Sequence, residues 1–146
     1  MHTKCEPPDL GVFKVNYDGT LFTETGRAGL EVVIHNSEGA VMASLSQQIP
    51  QPTTMAQVEA LATRRALKSA LEIGITSAVF EGDSDTISKD LNNSERSLAL
   101  HGHLIEDVKA LTPSFNCCSF VHVCRQGNRV ALALARWAIN SPSLTV

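Results

Sequence analysis

The order of strand-like and helix-like segments constrains this chain of 146 residues more than any other feature. Three segments with strand patterning come first, and a long helical segment follows them. The rest of the sequence predicts a fourth strand, two helices, a fifth strand and a last helix. Short polar turns join antiparallel strands, whereas helical crossovers join parallel ones. The order therefore predicts an α/β domain with a mixed five-stranded sheet, in which three antiparallel strands are followed by two parallel ones.

The first three strands are predicted from alternating apolar and polar residues. In segment 12–17, Phe13, Val15 and Tyr17 share one face, and the turn-forming sequence Asp18-Gly19-Thr20 is predicted to end the strand. Segments 28–34 and 40–47 are predicted to be the next two strands. The polar sequence between them ends in glycine, which favours a hairpin connection. These three strands are expected to form an antiparallel meander.

The first helix has the clearest boundaries in the sequence. Thr54 and Gln57 are spaced as in a capping box, and helix formers continue through Leu71. Gly74 stands where a C-terminal glycine cap is expected. The later elements are predicted as a strand at 78–80, a helix from 83 or 84 to about 91, a helix at 101–111 ended by Pro113, a strand at 118–123 and a helix at 128–139. Residues 11–140 are expected to form one domain, residues 1–10 an extended leader and residues 141–146 a C-terminal tail.

Composition and charge narrow the class of protein. Hydrophobic residues make up 43% of the chain, as in ordinary globular domains. No apolar run approaches the roughly 20 residues that span a bilayer, and the first residues contain no signal-peptide core. We therefore expect a protein without a membrane partner, located inside the cell, in the nucleus or the cytoplasm. A monomer is a separate expectation, on which these features do not bear. The four cysteines form no CxxC pair, which disfavours a zinc site and favours free buried thiols.

The net charge of −3 argues against tight, non-specific binding of nucleic acid through a large positive field. It leaves room for a local basic groove. The candidates for that groove are Arg64, Arg65 and Lys68 in one segment and Arg125, Arg129 and Arg136 in another. Either cluster is equally compatible with a solvated helix face.

Three acidic residues occupy unusual places. Asp18 follows the first strand, Glu59 lies within two turns of the start of the first helix, and Asp83 follows the fourth strand. A right-handed crossover would make the first and fourth strands neighbours, so that Asp18 and Asp83 meet and Glu59 leans over them. Converging carboxylates repel each other unless a cation neutralises them.

Oxygen ligands with open positions suit Mg²⁺ or Mn²⁺. Two such ions, about 4 Å apart, could clamp the attack of water on a phosphodiester. Each acid also has a simpler interpretation. Asp18 before a glycine suits a turn, Asp83 suits a helix cap with Ser84 as an equal candidate, and Glu59 suits a solvated helix face.

The motifs, their order and their spacing resemble those of type 1 ribonuclease H. More closely, they resemble the reverse-transcriptase-like ribonuclease H domains that are abundant in plant genomes and often derive from retroelements. The resemblance covers residues 11 to 139. The motifs are Val15-Asn16-Tyr17-Asp18-Gly19, Thr53-Thr54 with Glu59 and Ala62, Glu81-Gly82-Asp83-Ser84, and Asn128-Arg129 at the start of an alanine-rich helix.

The resemblance implies a ribonuclease H-like fold with helices on both faces of the sheet, and cleavage of the RNA strand of RNA–DNA hybrids. It implies that Asp18, Glu59 and Asp83 are catalytic metal ligands for Mg²⁺ or Mn²⁺. Thr54 matches a threonine near a phosphate of the DNA strand, and Arg125 falls in a loop where relatives carry a histidine or arginine that assists catalysis or product release. The implied nucleic-acid contacts are Gly19, Thr54, Ser84, Arg125 and Asn128.

One departure from the family pattern bears on activity. The family places a fourth carboxylate, an aspartate, four residues after Asn128, where this chain has Leu132. Leucine cannot coordinate a cation, so one ion is expected to be weakly held. A histidine, His101 or His122, is the remaining candidate for a substitute ligand. The expectation is a weakened hybrid-cleaving ribonuclease. The alternatives are a catalytically degenerate nucleic-acid-binding domain and, with the acidic charge as its only support, a protein-interaction scaffold.

Overall fold

The structure is a computed structural model that describes residues 11–50, 54–93 and 101–140. Within these ranges five strands form one mixed sheet in the order β3-β2-β1-β4-β5. The strands β1, β2 and β3 pair antiparallel, whereas β4 pairs parallel with both β1 and β5, which confirms the predicted sheet. The predicted leader and tail lie outside the described residues. The strands are β1 (Phe13–Phe22), β2 (Arg27–His35), β3 (Val41–Pro50), β4 (Ser77–Gly82) and β5 (Cys117–His122).

Four helices accompany the sheet in the described ranges: α1 (Met55–Glu72), α2 (Asp85–Asn92), α3 (Gly102–Leu111) and α4 (Arg125–Asn140). The predicted capping box is present at the start of α1. The Thr54 hydroxyl accepts from the Gln57 N–H at 3.1 Å, and the Gln57 carboxamide oxygen accepts from the Thr54 N–H at 3.0 Å. Gly74 follows the C-cap residue of α1, as expected. Helix α3 runs into a 3₁₀ turn that contains Pro113.

Helices cover both faces of the sheet. Tyr17 and Val32 are paired across β1 and β2, and both belong to the main core beneath α1 and α3. The next pair, Asn16 and Val33, points to the opposite face, because side chains alternate along a strand. There Val33 packs against Leu132 of α4. The predicted arrangement of helices on both faces is therefore confirmed.

Three predicted boundaries are wrong by three residues or more. Strand β3 continues to Pro50 rather than ending at residue 47. Strand β1 does not end at Asp18-Gly19 but continues to Phe22, with Asp18 paired to Glu31 of β2. Gly19 serves helix packing rather than a turn, because a Cβ at this position would lie 2.6 Å from Val58 Cγ1 of α1. The pairing of β1 with β4, however, stops at Asn16. Asp18 thus lies within β1, two residues beyond the last residue that pairs with β4.

Helix α4 begins earlier than predicted, at Arg125 rather than Asn128. The Asn128 N–H donates to the Cys124 carbonyl at 2.9 Å, which closes the first helical turn. The late start was predicted because Gly127 is a residue type that is typical of loops. Arg125, predicted to lie in a loop, therefore lies in the first turn of a helix.

The cysteines agree only partly with the prediction of free buried thiols. Cys118 is free and buried, and burial raises the pKa of its thiol to about 12. Cys124 is free but exposed, and Cys117 is disulfide-bonded. No helix in the described part of the chain is long and apolar enough to span a bilayer.

Candidate metal centre

Three carboxylates from three separate elements meet at one edge of the sheet. They belong to Asp18 on β1, Glu59 in the second turn of α1, and Asp83 immediately after β4. One carboxylate oxygen from each residue lies within 4.8 Å of the others, and all three side chains are half-buried. Residues 65 positions apart in the chain thus share one cleft.

Two glycines allow this convergence. Gly19, next to Asp18, brings β1 close to the backbone of α1, since an added Cβ would also lie 3.0 Å from the Val58 carbonyl oxygen. Gly82, next to Asp83, lies against the ring of Tyr17, and a Cβ there would come within 2.6 Å of Tyr17 Cζ. The absence of both side chains therefore lets the acid-bearing backbones approach each other.

Burial and mutual repulsion perturb the acids. The pKa of Asp18 is raised from 3.8 to about 6, first by desolvation and then by the charge of Asp83. The Gly19 N–H and the guanidinium groups of Arg129 and Arg125 act in the opposite direction. Removal from water thus disfavours the charged form of Asp18, although positive charge lies on the α4 side of the site.

Desolvation also raises the pKa of Glu59, and the charges of Asp83 and Asp18 add to the effect. A hydrogen bond from the Ser84 side chain and the charge of Arg125 oppose it. The Ser84 oxygen in turn accepts from the Ile87 N–H at 3.2 Å and caps α2. Ser84, rather than Asp83, is therefore the helix cap, which leaves the Asp83 carboxylate for the cleft.

The floor of the cleft is formed by neutral side chains that sequence reasoning did not single out. Tyr17 is buried, and desolvation raises the pKa of its phenol to about 12, although a hydrogen bond with Thr63 lowers it. Thr63 itself donates to the Glu59 carbonyl at 2.8 Å. The phenol therefore stays protonated at neutral pH and adds no charge beneath the acids.

The predicted nucleic-acid contacts differ in their exposure and in the element that carries them. Gly19 lies beneath α1, and Ser84 and Thr54 lie half-buried at the starts of α2 and α1. Arg125 is exposed beside the acids, and Arg129, predicted only as a candidate for the basic groove, acts on Asp18 from the next turn of α4. Of these residues, Gly19 and Ser84 line the acidic cleft, and Arg125 and Arg129 act on its carboxylates.

Asn128, by contrast, is only 1% exposed. Its amide donates to the Tyr17 carbonyl at 3.0 Å and to Asp83 Oδ2 at 3.4 Å. Its carbonyl oxygen accepts from the Asn16 amide at 3.0 Å. The predicted contact with nucleic acid is not available to this side chain, because burial and internal hydrogen bonds occupy it.

Leu132 provides no substitute for an acid. It is 2% exposed and packs with Val33 and Ala135 beneath the sheet. Among the described residues, no further histidine, cysteine or acid joins the group of three carboxylates. His101 Nε2 instead lies 2.7 Å from Asp90 Oδ2. The predicted alternative of a histidine ligand is therefore not supported.

The donor set fits a hard divalent cation. Carboxylate oxygens are the ligands that Mg²⁺ and Mn²⁺ prefer, and these ions retain water or take phosphate oxygens at open positions. The raised pKa values of Asp18 and Glu59 mean that the charged cluster is unfavourable by itself. A bound cation would relieve this repulsion.

A mixed sheet of this order, with acids at the end of the β1–β4 pairing and on α1, defines a ribonuclease H-like domain. The sequence model of the reverse transcriptase-like family matches residues 16–138. The chain belongs to the reverse transcriptase-like family, as its motifs predicted. No curated protein matches the sequence significantly.

Solved structures agree with this assignment of the fold. Ribonuclease H1 from the halophilic archaeon Halobacterium salinarum NRC-1 superposes with a TM-score of 0.77 at 26% identity, over 89% of this chain and 98% of that one. A ribonuclease H1 isolated from compost by a metagenomic approach gives 0.74 at 23% identity, over 90% and 97%. The N-terminal ribonuclease H domain of a Mycobacterium tuberculosis protein gives 0.71 at 20% identity, over 88% and 98%. The compost enzyme has also been solved in complex with an RNA/DNA hybrid.

Proposed function

We propose that this protein is a divalent-cation-dependent endoribonuclease that cleaves the RNA strand of RNA–DNA hybrids. The observation that carries the proposal is the convergence of Asp18, Glu59 and Asp83 within 4.8 Å. Family membership and the likeness to the archaeal ribonuclease H1 support the choice of reaction, and the hybrid complex of the compost enzyme supports the choice of substrate.

In this proposal Asp18, Glu59 and Asp83 hold Mg²⁺ or Mn²⁺. A bound ion would supply charge neutralisation and a water of lowered pKa for attack on the phosphodiester. The carboxyls must be ionised to act as ligands, so binding is expected to weaken as the pH falls through the raised pKa of Asp18, about 6. The raised pKa of Glu59 acts in the same direction. We further propose a two-ion site in which one ion is weakly held, since Leu132 offers no oxygen.

The residues around the cleft are suited to a phosphate backbone. Arg125 is exposed at the start of α4 and near the acids, so its guanidinium is placed to attract phosphate. Thr54, at the N-terminus of α1, stands where backbone N–H groups favour anions. Ser84 completes the proposed contacts, whereas the predicted contact at Gly19 is not retained, because Gly19 is buried against Val58 of α1. The proposal retains the expected monomer inside the cell, in the nucleus or the cytoplasm, and a retroelement-derived origin.

A second candidate function is a catalytically degenerate domain that binds hybrids without cleaving them. One observation favours it: Leu132, where the family pattern has an aspartate, is buried among apolar side chains. Removing a ligand from a catalytic metal site typically lowers activity steeply. The two candidate functions assume the same fold and the same acidic cleft, and they differ in whether the RNA strand is cleaved.

Cleavage of an RNA–DNA hybrid with a labelled RNA strand separates the two candidates. We expect cutting by the full chain in Mn²⁺ and slower cutting in Mg²⁺, no cutting in EDTA, and loss of cutting in Asp18→Asn. Glu38→Gln is the matched control, because Glu38 is an exposed acid in the β2–β3 turn. Hybrid binding without cutting at any concentration of either ion would reject the ribonuclease and favour the degenerate domain.

A further inference from the structure

The buried side-chain amide of Asn128 connects the carboxylate of Asp83 to the backbone next to Asp18. Its Nδ2 donates to the Tyr17 carbonyl at 3.0 Å, on the residue that precedes Asp18, and to Asp83 Oδ2 at 3.4 Å. One amide group therefore bridges the backbone beside one acid and the carboxylate of another. These contacts join α4 to the adjacent ends of β1 and β4.

The orientation of the Asn128 amide is fixed by a second asparagine. Asn16 Nδ2 donates to Asn128 Oδ1 at 3.0 Å and to Glu81 Oε1 at 3.1 Å. Asn16 is 2% exposed, so neither amide exchanges its partners with bulk water. With its oxygen occupied by Asn16, the Asn128 side chain must direct its two N–H donors toward Tyr17 and Asp83.

We propose that Asn128 is a positioning residue for the cation site, acting through Asp83 and the backbone before Asp18, and not a contact to nucleic acid. This inference rests on the proposed function, because it assumes that the acids hold a cation. A hydrogen bond from a donor that is itself held in place restricts the rotation of the carboxylate that accepts it. Partners of this kind change metal affinity by about 10- to 100-fold when they are removed.

The test compares Mn²⁺ affinity with hybrid affinity in the full chain. The Mn²⁺ dissociation constant is measured by calorimetry, and binding of a labelled hybrid is measured in EDTA at low salt. We expect Asn128→Ala to raise the Mn²⁺ dissociation constant by roughly 10- to 100-fold and to leave hybrid binding in EDTA unchanged. Asn128→Gln, which keeps an amide, should retain more of the Mn²⁺ affinity.

Ala135→Gly controls for loosening of α4. Ala135 is buried on the sheet side of the same helix and lies outside the acidic cleft, and glycine there weakens the helix. We expect this variant to lower the melting temperature and to keep the wild-type Mn²⁺ affinity. If Asn128→Ala does not fold, Asn128→Gln is compared with Ala135→Gly instead, and a weaker Mn²⁺ affinity only in the former supports the proposal.

The outcomes separate this inference from the proposed function. Equal Mn²⁺ affinity in Asn128→Ala and the wild type, or in Asn128→Gln and Ala135→Gly when the former is the only folded variant, overturns the positioning role. Weaker hybrid binding in EDTA with Mn²⁺ affinity intact also overturns it and restores a nucleic-acid contact. A wild-type chain that binds no Mn²⁺ rejects the proposed function itself.

Discussion

Asp18→Asn should stabilise the cation-free protein, although it removes a proposed ligand. The pKa of Asp18 is raised from 3.8 to about 6 in the folded state. A shift of about 2 units corresponds to roughly 3 kcal/mol. Because the carboxyl is only half-buried, solvent screening reduces the effect to about 1 to 2 kcal/mol. Asparagine has nearly the same shape but carries no charge, so this unfavourable free energy is absent from the variant.

The difference in stability between Asp18→Asn and the wild type depends on pH in a defined direction. A carboxyl whose pKa is higher in the folded state binds its proton more tightly there than in the unfolded chain. Its contribution to stability is therefore fully present below pH 3.8 and is lost as the pH rises through about 6. The raised pKa of Glu59 acts in the same direction. Asp18→Asn should thus gain stability over the wild type at pH 8 and gain little at pH 4.

Urea denaturation in EDTA at the two pH values measures this difference. At pH 8 we expect the free energy of unfolding to rise by about 1 to 2 kcal/mol, or the melting temperature by roughly 3 to 6 °C. The control Glu38→Gln should change the free energy by less than about 0.5 kcal/mol. Excess Mn²⁺ should stabilise the wild type more than the variant. The reasoning would be refuted if the variant were no more stable than the wild type at pH 8. It would also be refuted if the gain in the free energy of unfolding were the same at pH 4 and pH 8.

Three further predictions concern packing, capping and the missing acid. Gly19→Ala should lower the free energy of unfolding, measured in urea, by about 1 to 3 kcal/mol, because its Cβ would lie 2.6 Å from Val58 Cγ1. Gly127→Ala is the control, and it should be neutral or stabilising because the space around its Cβ is open. Equal effects of the two substitutions would contradict the packing argument. Thr54→Ala should lower the free energy of unfolding by about 1 kcal/mol through loss of the capping box, and an unchanged urea midpoint would argue against that role. Leu132→Asp should lower cation-free stability by about 3 to 5 kcal/mol, since a carboxylate replaces a buried leucine. Mn²⁺ should restore more stability to this variant than it adds to the wild type, and no such difference would mean that position 132 does not face the cation.

The parts of the fold that depend on local signals could be predicted from the sequence. The capping box at Thr54 and the glycine after α1 determine where that helix begins and ends, and both were found where the spacing placed them. The order of elements was sufficient for the sheet, because crossover helices and short turns leave few arrangements. The convergence of the three acids followed from that sheet order.

The features that sequence reasoning missed depend on contacts between distant residues. Asp18-Gly19 has turn chemistry, but Gly19 is needed for the approach of Val58, a residue of the following helix. The burial of Asn128 likewise depends on Asn16, 112 positions earlier, and no local pattern indicates that pairing. Arg129 was predicted only as part of a basic cluster, and its effect on Asp18 depends on the position of α4 beside β1.

The central claim is that Asp18, Glu59 and Asp83 together hold a divalent cation. Crystals of the full chain soaked in Mn²⁺ at pH 8 test it most directly, since anomalous scattering locates the ion independently of any activity. We expect an anomalous peak in the cleft, within bonding distance of a carboxylate oxygen from each of the three residues. Crystals that show no peak between these carboxylates at saturating Mn²⁺, or a peak bound only elsewhere on the surface, would contradict the claim.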